Sequence, residues 1–107
     1  MIKVELLTTA NGDLVGFNIS GHAKAGESGQ DIVCAAVSSA AYMAANTITE
    51  VIHAMAEISV NQMGFMKVEI SSKDLGRCQE ILNGLKLHLL GLEEQYPKNI
   101  IVNYVEV

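Results

Sequence analysis

Ile32-Val33-Cys34-Ala35-Ala36-Val37-Ser38-Ser39-Ala40-Ala41-Tyr42-Met43-Ala44-Ala45-Asn46-Thr47-Ile48-Thr49 contains no charged residue, and the reading of this run decides the fold. A membrane span needs some 18 or more strongly apolar residues. This run is rich in Ala, Ser, Asn and Thr, which suits a helix packed closely inside a globular protein. Val33, Val37, Ala40, Ala44, Ile48, Val51 and Met55 recur at helical spacing and mark one face. The alanines on the other faces predict burial on more than one side. Asp31 stands in front as a good N-cap.

Upstream, Ile2, Val4 and Leu6 alternate with Lys3 and Glu5, the pattern of a half-buried strand. Asn11-Gly12 is a hairpin signal, because both residues tolerate positive φ. Leu14 to Ser20 returns as a second strand. Gly21 to Gln30 holds three glycines and few apolar residues, and reads as a mobile loop. Downstream, Ile58 to Val60 and Phe65 to Ile70 read as strands around Asn61-Gln62-Met63-Gly64. Asp74 starts a second helix with the stripe Leu75, Cys78, Leu82, Leu85, Leu89, Leu92 and Tyr96, and Pro97 ends it. Ile100 to Val105 is a last strand. The order ββαββαβ predicts a two-layer α/β (α+β) domain: a mostly antiparallel sheet with two helices packed on it, residues 1–107 forming a single domain.

The chain has 107 residues, half of them apolar, enough for a core without disulfide or metal staples. Its net charge of −5 argues against nonspecific binding to nucleic acid, which relies on basic patches. Met1-Ile2-Lys3-Val4-Glu5 reads as a strand and lacks a signal-peptide pattern, so a cytoplasmic protein with two reduced thiols and no membrane partner is expected. His22, Cys34, His53 and His88 show no metal-ligand spacing, and neither the GxGxxG nor the Walker pattern is present. No metal or other cofactor is therefore expected.

Chemistry concentrates where the glycine-rich loop meets the first helix. With Asp31 as cap, Cys34 is the third helical residue, and His22 lies a short loop upstream. A helix N-terminus favours a negative sulfur and an imidazole can take the thiol proton, the two parts a cysteine nucleophile needs. An ordinary thiol is only roughly 3% ionised at pH 7, and making one mostly thiolate takes about 2.7 kcal/mol. A helix terminus supplies about 0.3–1 kcal/mol, up to ~2 when partly buried. A second contributor is needed, and His22 is the natural one, as general base and then as the acid that protonates the leaving amine.

Plainer readings stand beside these. Free cysteine is among the most buried residue types and often only packs. Asp31 either caps the helix or orients His22; its charge opposes direct activation of a thiolate. Ser38, one turn beyond Cys34 on the same face, either hydrogen-bonds the substrate or the dyad, or bonds back to the Cys34 carbonyl. Gly21 and Gly29 are loop hinges or ordinary turn residues. Cys78 falls in the apolar stripe of the second helix and reads as core. His53 sits near the end of the first helix, and His88 on the solvent side of the second.

Gly21-His22-Ala23, then Gly29, then Asp31-Ile32-Val33-Cys34-Ala35-Ala36-Val37-Ser38 resemble the motif of the bacterial ribosomal-processing cysteine protease Prp family, and the element order agrees over essentially the whole chain. The resemblance implies a cytoplasmic endopeptidase that removes a short N-terminal extension from the precursor of large-subunit ribosomal protein number twenty-seven during ribosome maturation. It further implies a homodimer with His22 and Cys34 as catalytic dyad and a loop that orders over the peptide. Two rival functions are a noncatalytic module that binds a ribosome-assembly partner and a redox-sensing thiol protein.

Overall fold

The computed structural model describes residues 1–21, 30–61 and 64–107. β1 (Ile2–Thr8) and β2 (Leu14–Ser20) lead to α1 (Gln30–Asn46), β3 (Ala56–Val60) and β4 (Met66–Ile70) to α2 (Leu75–Gln95), and β5 (Ile100–Glu106) completes the order ββαββαβ. The five strands form one sheet in the order β3-β4-β2-β1-β5. Among the described residues three pairings are antiparallel, and only β1 with β5 is parallel.

Period-two alternation explains the layers. Val4, Leu6, Phe17, Ile19, Met66, Val68, Ile70 and Ile100 point to the face the helices cover, and each is nearly inaccessible. Lys3, Glu5, Lys67 and Glu69 occupy the opposite face, where Lys3–Glu5 and Lys67–Glu69 approach at 3.7 and 3.9 Å. The first hairpin turns as its sequence suggests, with Gly12 at φ 87°. Beyond the turn Leu7 pairs with Gly16 and Thr8 with Leu14, so Val15 is an extra, bulged residue. Gly16 is dictated by close approach: a Cβ there would fall 1.9 Å from the Val68 carbonyl oxygen of β4.

The segment Ile32–Val51 is long and apolar enough to cross a membrane by length and composition. Here it supplies Val33, Val37, Ala41, Ala44 and Ile48 to the core and packs on α2. The expected stripe ends sooner than its spacing implied. Thr47 and Thr49 donate their hydroxyls back to the carbonyls of Met43 (2.8 Å) and Ala45 (3.2 Å), a bonding mode that loosens a helical ladder. Thr47–Val51 then widens into a π-turn, and His53 reverses the chain at φ 58°. Val51 and Met55 fall off the buried face and are 72% and 62% exposed.

α2 buries Cys78, Leu82, Leu85 and Leu89 as its spacing predicts. Asp74 precedes it but caps nothing with its side chain. Its carboxylate instead accepts the Met55 N–H (2.8 Å) and the Arg77 guanidinium (2.8 Å), and Arg77 also donates to the Ile52 carbonyl. This cluster fastens the 52–55 connection to the start of α2. Gln79 fastens α2 to β2 in the same way: its amide accepts the Leu14 N–H (3.0 Å) and donates to the Leu14 carbonyl (2.7 Å).

Candidate active site

α1 carries the candidate nucleophile. The chain becomes helical at Gln30, two residues sooner than a cap at Asp31 would allow. Glutamine is the better helix former, and a helix end read from sequence shifts by a residue or two. Asp31 therefore lies within the first turn, and Cys34 is the fifth helical residue rather than the third. In that register the Cys34 amide bonds the Gln30 carbonyl, which removes it as an oxyanion donor. Cys34 remains close to the helix terminus, is half-buried and packs against the edge of the core. Ser38 follows one turn later and is exposed.

His22 and Gly29 lie outside the described residues. Gly21, which precedes His22, is described and is fixed. Its φ is 85°, and a Cβ would meet the Met1 carbonyl oxygen at 2.3 Å. Of the two readings for Gly21, the tight turn is the one with a steric reason. A Cβ on Gly64, in the β3–β4 turn, would lie 3.8 Å from the Gly21 carbonyl oxygen. Gly64 in turn lines a recess of about 90 Å³ together with Ser38, Tyr42, Val60, Asn61 and Phe65. The end of β2, the β3–β4 turn and the Ser38 side of α1 thus converge at one end of the sheet. The recess itself was not anticipated, because it forms only when the helix meets a hairpin some 20 residues away in sequence. Phe65, expected as the first residue of β4, instead closes that turn: its N–H donates to Asn61 Oδ1 at 3.2 Å.

The other two histidines sit elsewhere. His53 lies beyond the π-turn that follows α1, and the helical path from Cys34 to Val51 alone spans about 25 Å at 1.5 Å per residue. His88 lines a groove with Ala36, Ser39, Ala40 and Met43. Those α1 positions lie across the helix from Cys34 at 100° per residue. Cys78 is buried in the core, where burial foremost, and then the nearby Asp74 charge, push its thiol pKa up, with Arg77 opposing. Among the described residues no group of three or more His, Cys, Asp or Glu is placed to hold a metal ion.

A half-buried sulfur near a helix terminus, one turn ahead of the Ser38 that lines the recess, fits the class of cysteine hydrolases. Residues 1–101 match the family described as cysteine protease Prp, and the chain belongs to that family. The ribosomal processing cysteine protease Prp of Staphylococcus aureus is 30% identical over 105 residues, covering 97% of this chain and 99% of that one. A crystal structure of the S. aureus protease in complex with a substrate peptide superposes with a TM-score of 0.89 at 29% identity, covering 98% of this chain and all of that one. A second, with a covalently linked product peptide, gives 0.86 at 29% identity and the same coverage.

Proposed function

We propose that residues 1–107 act as one endopeptidase domain that trims the N-terminal extension from the precursor of large-subunit ribosomal protein number twenty-seven, with Cys34 as nucleophile and His22 as its acid–base partner. The observation that carries this is the position of Cys34 near the start of α1, at the end of the sheet where the residue before His22 is held. Support comes from family membership and from the relative that holds a covalently linked product peptide.

In the proposed reaction, His22 takes the thiol proton and the Cys34 sulfur bonds to the scissile carbonyl carbon, moving the carbonyl electron pair onto oxygen. That oxyanion is held by backbone N–H groups, supplied by the loop ahead of α1 because the Cys34 amide is engaged within the helix. The tetrahedral species collapses, the C–N bond breaks, and His22 gives its proton to the departing amine. Water then attacks the thioester while His22 takes its proton; the C–S bond breaks, releasing the acid and the thiol. Asp31 and Ser38 are positioning residues in this scheme, and Gly21 and Gly29 shape the loop between the dyad members. No cofactor takes part. The working form is a cytoplasmic homodimer that touches the peptide rather than nucleic acid.

Incubation with the extended precursor should yield a single cut within the extension, located by mass spectrometry. Cys34→Ala should bind the precursor and leave it whole, a loss of at least about 10³-fold for a missing nucleophile. Normal cleavage by that variant refutes the scheme, and full activity in His22→Ala removes the histidine from it. The redox-sensing reading draws no support from Cys78, which is buried on another helix.

A further inference from the structure

β5 is the last strand on its side of the sheet and runs parallel to β1. The Asn99 carbonyl accepts the Ile2 N–H, and the Val107 N–H donates to the Thr8 carbonyl, so the odd-numbered residues of this stretch turn their backbone groups toward β1. The even-numbered ones, Ile100, Val102, Tyr104 and Glu106, turn theirs outward along the edge. Such an edge is a template for another strand. The sequence adds to the hazard. Ile100-Ile101-Val102-Asn103-Tyr104-Val105 holds no charged residue, no Gly and no Pro, the composition of segments that pair into intermolecular sheets. Ile101 and Tyr104 are exposed on it.

The C-terminal half of α2 meets that edge. The Ile100 N–H donates to the Tyr96 carbonyl at 3.3 Å, and the Val102 N–H donates to Glu93 Oε2 at 2.7 Å. Two helical turns before Glu93, on the same face of α2, Lys86 sets its ammonium 5.3 Å from the centre of the Tyr104 ring. Two charged side chains therefore border the outward row. A strand pairing here must offer a carbonyl to the Val102 N–H. The Glu93 carboxylate already holds that donor through a charge-assisted bond, and it repels an incoming carbonyl oxygen. With Val102 closed, the outward row keeps only its last part, at Tyr104 and Glu106. Opening Val102 frees residues 102–106, the length of an ordinary strand of about five residues. We propose that Glu93 is a guard that keeps the β5 edge closed to strand addition by a second copy of this chain. A second copy fits because this uncharged segment, set antiparallel to itself, matches its own apolar residues across a twofold axis. The proposal stands apart from the peptidase reading.

Light scattering coupled to gel filtration measures mass over a concentration series. Every variant is scored against the unmodified protein at the same concentration, so the homodimer proposed above is the common baseline. Glu93→Ala should gain mass with concentration and reach about twice the baseline or more as edges pair. Tyr104→Pro removes an outward N–H without touching the ladder to β1, which separates edge pairing from unfolding. Glu93→Ala combined with Tyr104→Pro should return to the baseline, and Tyr104→Pro alone should stay there. A baseline mass for Glu93→Ala at every concentration overturns the proposal. Association that persists in the double variant also overturns it, because exposed core rather than the edge is then the sticky surface. A mass below the baseline for Tyr104→Pro alone overturns it too, since the edge is then already paired in the unmodified protein. If Glu93→Ala precipitates, the double variant decides: recovered solubility supports the guard, and continued precipitation overturns it.

Discussion

Asp74 shows how one residue type supports two local readings. An aspartate in front of a helix is ordinarily a cap, yet this carboxylate turns away from α2 to receive the Met55 N–H and the Arg77 guanidinium. The hydrogen bond from Met55 foremost, then Arg77, holds its pKa below the usual aspartate value. A carboxylate with a depressed folded pKa stabilises above its unfolded value, near pH 4, and that contribution fades as pH falls toward the folded value. The urea midpoint should therefore drop between about pH 4 and pH 2 more steeply in the unmodified protein than in Asp74→Asn, and Asp74→Asn should be less stable at pH 7. Parallel denaturation curves for the two proteins across that range would refute the assignment. Sequence alone showed the acid and its distance to α2 but not its partner, because Met55 is 19 residues away and arrives only through the reversal at His53. Cys34 was legible for the opposite reason: its setting is local, and the helix that carries it is written in neighbouring residues.

At the scale of elements, strand and helix order followed from hydrophobic period, and it held because each element buries the face its spacing marks. Ends were less legible. α1 stops its regular ladder at Asn46 because the threonine hydroxyls that follow compete for carbonyls, an effect that apolar spacing does not register. Pairing order was not legible either, since the parallel match of β1 with β5 joins residues nearly a hundred positions apart. What locks such distant elements is specific. The Gln79 amide answers both backbone groups of Leu14, so Gln79→Ala leaves a donor and an acceptor without that partner. The expected cost is about 1–3 kcal/mol, read as a lower urea midpoint with unchanged slope. A midpoint within error of the unmodified protein would show that water replaces the amide there.

Across the described molecule, the candidate site lies toward one end of the sheet. Ser20, Val60 and Met66 finish or begin their strands there, and the loop holding His22 starts there at Gly21. The opposite end holds the bulged hairpin and the Asp74 cluster. The Asp74 cluster and the hairpin bulge thus brace the far end, while turns surround the end that bears the candidate site. What was legible on α1 is the placement alone: Cys34 and Ser38 one turn apart near the start of a helix. The half contributed by β3 and β4 was not, because Val60 and Phe65 become neighbours of Ser38 only through sheet topology.

The tight approach of Met1 to Gly21 has a practical side. Polypeptide fused ahead of Met1 emerges beside Gly21, the residue before His22, whereas Val107 leaves beside Thr8, about 20 Å away at 3.3 Å per strand residue. An affinity tag grafted at the front should slow turnover of the precursor and one grafted at the back should not, and enzymatic removal of the front tag should restore the rate.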